Sequence, residues 1–76
     1  MPQRFELRAP TVAVTDRRGK PEALTIPAGA EVIVISVQQS DPADPKRVMV
    51  EWNGQRMWIF LSDLNDRGVQ IGFEAA

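Results

Sequence analysis

The sequence contains no cysteine, no histidine and no tyrosine, and each absence excludes particular kinds of function. Without cysteine there is no disulfide, no thiolate nucleophile and no cysteine-based zinc or iron–sulfur centre. Without histidine the chain lacks the commonest general base and the commonest metal ligand. We therefore expect a protein with no catalytic residues, no cofactor and no metal site.

Long apolar segments are missing as well. The first ten residues, MPQRFELRAP, contain none of the apolar run of a signal peptide, and no stretch of the chain is long and apolar enough to span a bilayer. We expect no membrane association and a cytoplasmic location.

The length of 76 residues suits a single small domain, and we assign residues 1–76 to one unit. A hydrophobic fraction of 43% allows a compact core, but a small one. Burial against a protein partner or a second copy of the chain would add stability to a domain of this size.

Apolar residues recur in short blocks separated by turn-forming residues, which is the pattern of an all-β domain. The strongest predicted strand, Glu31–Val37, reads EVIVISV and is apolar on both faces. One predicted face carries Val32 and Val34, and the other carries Ile33, Ile35 and Val37. We expect both faces to be covered. The segments Asp16–Glu22 and Gln38–Arg47 contain turn residues and are predicted to be loops.

Asn53-Gly54 predicts a tight hairpin, because both central residues of a type I′ turn need positive φ. Trp52 then faces Gln55 across the hairpin, and the remaining pairs follow in order. The inward face is predicted to carry Val48, Val50, Trp52, Met57, Ile59 and Leu61. The outward face is predicted to carry Met49, Glu51, Arg56, Trp58 and Phe60.

A short helical segment follows the hairpin in the sequence. Ser62 is a candidate N-cap and Gly68 a candidate terminator, which leaves room for one helical turn. Val69 to Phe73 is predicted to be the last strand.

This order of elements resembles the SH3-like small β-barrel of about five antiparallel strands, with one short helical turn before the last strand. Asp16–Glu22 would be its long first loop, Asn53-Gly54 its distal hairpin and Leu61–Asn65 its helical turn. The Ala28-Gly29 turn, the Trp-Asn-Gly hairpin and the segment Phe60-Leu61-Ser62-Asp63-Leu64 also resemble small bacterial proteins of this architecture. The resemblance is one of fold and implies no particular activity.

SH3 domains that bind proline-rich peptides use an aromatic groove for a polyproline II ligand. That family builds its groove from tyrosines and from a tryptophan at the start of the third strand. Here there is no tyrosine, the third strand opens with Val48-Met49, and Leu64 stands where the ring of the helical turn would be. We do not expect proline-rich ligands.

Val69-Gln70-Ile71 matches a tripeptide that lines the pore of plasmid-borne type II dihydrofolate reductases, which are SH3-like barrels of similar length. In those enzymes the tripeptide precedes the helical turn, whereas here it follows it and Met57–Phe60 occupies the equivalent strand. Those enzymes show that a histidine-free barrel can catalyse by assembling a pore, so a pore-forming oligomeric enzyme is kept as the least favoured alternative to a non-catalytic function.

The outward hairpin face is the candidate site. Large exposed aromatic side chains beside charged ones are typical of contact surfaces, although the N-terminal strand or a loop would also cover them. We predict that a protein partner or a second copy binds the residues Arg47, Met49, Arg56, Trp58 and Phe60.

Binding of single-stranded nucleic acid is the second alternative, since small barrels combine aromatic and basic side chains for that purpose. Arg47, Arg56, Trp58 and Phe60 fit this description. The net charge of −1 argues against it, because phosphate binding depends on positive charge.

Overall fold

The computed structural model describes residues 2–38, 43 and 45–73, which form seven strands and one helix. The strands are β1 (Gln3–Leu7), β2 (Thr11–Arg17), β3 (Lys20–Ile26), β4 (Glu31–Gln38), β5 (Arg47–Trp52), β6 (Gln55–Phe60) and β7 (Gly68–Phe73). Helix α1 (Leu61–Arg67) connects β6 to β7. The prediction of an all-β domain is confirmed.

The strands form one antiparallel sheet in the order β3-β2-β6-β5-β4-β1-β7. Within the described residues β3 and β7 are the end strands and do not pair with each other, so the sheet is not closed. The strand number is seven, where about five were expected, because one predicted loop is itself a hairpin.

The tip of that hairpin is the segment Asp16–Glu22, and the prediction of a loop there is wrong, because all but two of its residues belong to β2 or β3. β2 and β3 pair along their whole length as far as Arg17 and Lys20, and only Arg18 and Gly19 lie between them. These two residues have φ of 54° and 78°, which gives the two positive values that a type I′ turn needs. Pro21 is tolerated in β3 because an end strand has a free edge.

The second predicted loop, residues 38 to 47, includes positions outside the described ranges. Its two ends are strand residues, since Gln38 closes β4 and Arg47 opens β5. These two residues also pair with each other, because β4 and β5 are adjacent antiparallel strands.

The hairpin at Asn53-Gly54 is confirmed, with φ of 53° and 74° at the two turn residues. The observed pairs run from Trp52 with Gln55 to Val48 with Ile59, in the predicted register. Because this register sets which side chains point inward, the predicted faces are confirmed from Val48 to Phe60. Leu61, predicted on the inward face, instead begins helix α1 and lies half-buried against the core.

Replacing Asn53 with alanine should cost about 1 kcal/mol of unfolding free energy, because alanine tolerates positive φ less well than asparagine. Urea unfolding followed by tryptophan fluorescence would measure the cost. The matched variant Asn53→Gly should keep the stability of the wild type or exceed it, since glycine adopts positive φ freely. Equal stability of the alanine and glycine variants would contradict the role of the turn.

Strand β4 differs from its prediction in how its side chains alternate. A β-bulge between Val34 and Ser36 pairs Ser36 with Met49 and Val37 with Val48, so the single outward face of Ile33, Ile35 and Val37 is wrong. An inserted residue breaks the period of two and reverses the faces beyond it. Ile35 and Val37 are 37% and 54% exposed, so the described chain does not fully cover these two apolar side chains of β4.

Helix α1 has seven residues, about two turns, where one turn was predicted. Its N-cap is Phe60, whose side chain makes no capping bond, so the assignment of Ser62 as the cap is wrong. The backbone N–H of Leu61 instead donates to the carbonyl of Lys46 at 3.0 Å. Gly68 ends the helix as predicted, but with extended backbone (φ −109°, ψ 151°).

One core lies on the inner side of the sheet, and Leu64 of the helix contributes to it. Its buried members are Leu7, Ala13, Ile26, Val32, Val48, Val50, Met57, Ile59 and Leu64. Thr11 is also buried, and its hydroxyl donates to the carbonyl of Ala9 at 3.1 Å. Trp52 is half-buried against this core, in agreement with its predicted inward direction.

Candidate interaction surface

The outer faces of β5 and β6 bring the five predicted site residues together. Their cross-strand pairs are Arg47 with Phe60, Met49 with Trp58, and Glu51 with Arg56. Directly opposed residues of an antiparallel pair share one face, so all six side chains lie on the side away from the core. Phe60 is 43% exposed, while Met49 and Trp58 are half-buried.

Strand β2 lies beside β6 and extends this surface. Val14 pairs with Trp58, and the same antiparallel spacing brings Val12 beside Phe60. Val12 and Val14 are 54% and 38% exposed, whereas their small neighbours Thr11 and Ala13 are buried. The N-terminal strand or a loop was expected to cover the aromatic face. The strand that lies beside this face is β2.

A groove of about 350 Å³ runs over these residues, and we call it the β2–β6 groove. Its floor and walls are largely apolar, and two charged side chains stand among them. The lining residues are Val12, Val14, Pro21, Arg47, Trp58, Ile59, Phe60 and Asp63.

Three of the five predicted site residues line the groove, namely Arg47, Trp58 and Phe60. Met49 lies opposite Trp58 without lining the groove, and Arg56 lies farther along β6, opposite Glu51. The backbone carbonyl of Arg56 accepts a bond from the hydroxyl of Thr15 at 3.4 Å, which adds a link between β2 and β6.

Charged side chains stand at both ends of the groove. Arg47 is exposed and Asp63 half-buried at the end next to the helix. At the other end Pro21 also lines a more open cleft with Arg18, Lys20 and Glu22, at the tip of the first hairpin. The apolar floor therefore leads from one set of charged groups to another.

Sequence reasoning missed Val12, Val14, Pro21 and Asp63 as site residues, and it assigned the fifth additional lining residue, Ile59, only to the core. The alternation of Val12 and Val14 with small residues did predict a strand, but hydrophobicity alone would turn the valines inward. The opposite orientation follows from tertiary packing, since only the small side chains of Thr11 and Ala13 are buried.

Among the described residues, no three or more acidic side chains lie close enough together to hold a metal ion. Nor does any buried side-chain nitrogen or oxygen among them lack a hydrogen-bond partner. In the same part of the chain, no helix is long and apolar enough to cross a membrane.

The tripeptide Val69-Gln70-Ile71 lies in the end strand β7, outside the groove. All three residues are exposed. The strand that leads into the helix is β6, which contains Met57–Phe60, as the sequence indicated.

Comparison of the chain with models of protein families, with curated proteins and with solved structures gave no match.

Proposed function

We propose that this domain is a non-catalytic protein-interaction module that binds an extended apolar segment of a partner protein in the β2–β6 groove. The observation that carries the proposal is the exposure of Val12, Val14 and Phe60 around the half-buried Trp58 in one continuous depression. Contiguous apolar surface with a charged rim is characteristic of interaction sites.

The groove fits such a ligand by shape and by chemistry. It follows β2 and β6, so an extended chain would place successive side chains along it. Trp58 and Phe60 supply aromatic area, which dominates the energy of many interfaces. Arg47 and Asp63 at the rim can bind charges of the partner and thereby set its direction.

We also propose that the fold is an SH3-like small barrel in which the β2–β3 hairpin replaces the long first loop. The support is the order of elements: β1, that hairpin, β4, the β5–β6 hairpin, the helix and β7. The groove then lies between the first hairpin and β6. With no tyrosine to line it, we expect it to reject proline-rich ligands.

A library of short linear peptides, selected on the wild-type domain, tests the proposed function. Enriched peptides should share apolar residues, and their binding to Phe60→Glu should weaken roughly 30-fold or more, as expected for the loss of a central aromatic contact. Amide chemical shifts should change along β2 and β6 when such a peptide is added.

The matched control is Val37→Glu, which places the same charge at a side chain that is 54% exposed and outside the groove. This variant should bind the enriched peptides as the wild type does. The groove would be refuted as the site if the peptides bound Phe60→Glu with undiminished affinity, or if they changed amide chemical shifts only outside β2 and β6.

Single-stranded nucleic acid is the second candidate, because Arg47, Trp58 and Phe60 combine a cation with two aromatic rings on one surface. This candidate predicts that oligothymidine binds at low salt, weakens steeply as salt is added, and is lost in Arg47→Ala and Trp58→Ala. Absence of binding at low salt would exclude it.

A further inference from the structure

The two end strands of the sheet differ in how they discourage pairing with another chain. Strand β3 begins with exposed Lys20, Pro21 and Glu22, and charges and proline are common protections of a free edge. Strand β7, with the sequence GVQIGF, contains neither a charge nor a proline. Its Val69 and Ile71 are 44% and 43% exposed, so the edge at β7 carries exposed β-branched side chains without a charge or a proline.

The backbone of β7 offers hydrogen-bonding groups along this edge. Arg8 N–H donates to Arg67 O at 2.6 Å, and Leu7 pairs with Gly68. Because bonded and non-bonded pairs alternate in an antiparallel ladder, Gly68 and Gln70 belong to the non-bonded set. The N–H of Gly68 donates to Leu64 O instead, so Gln70 is the residue whose N–H and C=O both point away from β1.

We infer that β7 pairs with β7 of a second copy of this chain, in an antiparallel bridge centred on Gln70. A two-fold axis at Gln70 lets the two copies of this residue exchange both backbone hydrogen bonds. The same axis places Val69 of each copy opposite Ile71 of the other, so the four exposed apolar side chains meet in two contacts. No charge of β7 opposes this arrangement.

A second copy fits better than an unrelated strand because the segment is complementary to itself. Val69 and Ile71 are similar in shape and exposure on either side of an amide residue, so inversion of the strand reproduces the same surface. Four strands separate β7 from β2 in the sheet order, and none of the β7 residues lines the β2–β6 groove. Pairing through β7 therefore leaves the groove open.

The bridge is short, which sets its strength. β7 has six residues, and a bulge beyond Gln70, where Gly72 has φ of 148°, interrupts its regular run. A contact of this length buries much less than the roughly 800 Å² per partner of a standard interface. We expect a weak dimer that forms in the micromolar to millimolar range.

Cysteine cross-linking tests the position of the axis, because the natural chain contains no cysteine. In a hydrogen-bonded antiparallel pair the Cα atoms are about 5.5 Å apart, which is within disulfide range. Gln70→Cys should therefore form a covalent dimer under mild oxidation several-fold faster than Thr25→Cys, an exposed position on the other end strand. Equal rates would overturn the inference.

Sedimentation provides the second measurement. The average molecular mass of the wild type should rise from that of one chain toward that of two as concentration increases. Two double variants should each stay monomeric, namely Val69→Glu/Ile71→Glu and Val69→Lys/Ile71→Lys. A mixture of these two variants should dimerise, since opposite charges then face each other across the bridge. A wild type that is monomeric at millimolar concentration, or a mixture that fails to dimerise, would overturn the inference, and circular dichroism would verify that each variant is folded.

Discussion

Leu64→Ala is expected to lower the unfolding free energy by about 2–5 kcal/mol, the usual cost of truncating a buried leucine. Leu64 is 2% exposed and is the buried residue that helix α1 contributes to the core. A domain of 76 residues has a total stability of roughly 4–11 kcal/mol, so the variant should lose a large part of it. Urea unfolding monitored by tryptophan fluorescence would show a lower midpoint.

The neighbouring exposed residue provides the control for this substitution. Asn65→Ala changes the same helix without creating a cavity and should shift the unfolding free energy by less than about 0.5 kcal/mol. Equal costs for Leu64→Ala and Asn65→Ala would show that α1 does not hold the core together.

Gly68→Ala is expected to cost about 2–4 kcal/mol, although its backbone is in an ordinary extended conformation. A Cβ atom at this position would lie 2.6 Å from Leu64 O, 3.2 Å from Leu64 Cδ1 and 3.3 Å from Phe5 Cδ2. The carbonyl oxygen cannot move aside cheaply, because it accepts the hydrogen bond from the N–H of Gly68. Thermal unfolding should show a clearly lower midpoint.

Gly29→Ala separates this crowding from the general cost of replacing glycine. Gly29 has φ of 89°, but nothing lies within 4 Å of a Cβ placed there. Its alanine variant should lose only about 1 kcal/mol, through backbone strain. If Gly68→Ala cost less unfolding free energy than Gly29→Ala, the close approach of Leu64 and Phe5 would not be the reason for glycine at the end of the helix.

The second hairpin was predictable because its turn has a local chemical cause. Asparagine and glycine are the residues that most readily adopt positive φ, so Asn53-Gly54 fixed the register and, with it, the direction of every side chain from Val48 to Ile59. The first hairpin lacked such a signal, because arginine at Arg18 is uncommon at positive φ.

Other features depend on contacts between residues far apart in the sequence. The bulge of β4 is not marked by a glycine or a proline, since it lies in the segment Val34-Ile35-Ser36. The start of α1 is bonded to Lys46, fifteen residues upstream of Leu61, and no capping side chain indicates it. Neither interaction is visible in a local pattern.

The candidate site was predicted only where it follows from the second hairpin. Arg47, Trp58 and Phe60 lie on the expected face and line the groove, since the register determines their direction. Val12 and Val14 come from β2, whose position beside β6 was not predicted because its partner strand was not recognised. A prediction based on the second hairpin alone could not include the residues that β2 contributes to the groove.

Strand β1 lies between β4 and β7, and so joins residues from the two ends of the described chain. A ribosome makes β1 first among the strands and β7 last. Until β7 has emerged, one edge of β1 has no native strand with which to form hydrogen bonds. The β1–β7 pairing can therefore form only after all the other strands have been synthesised.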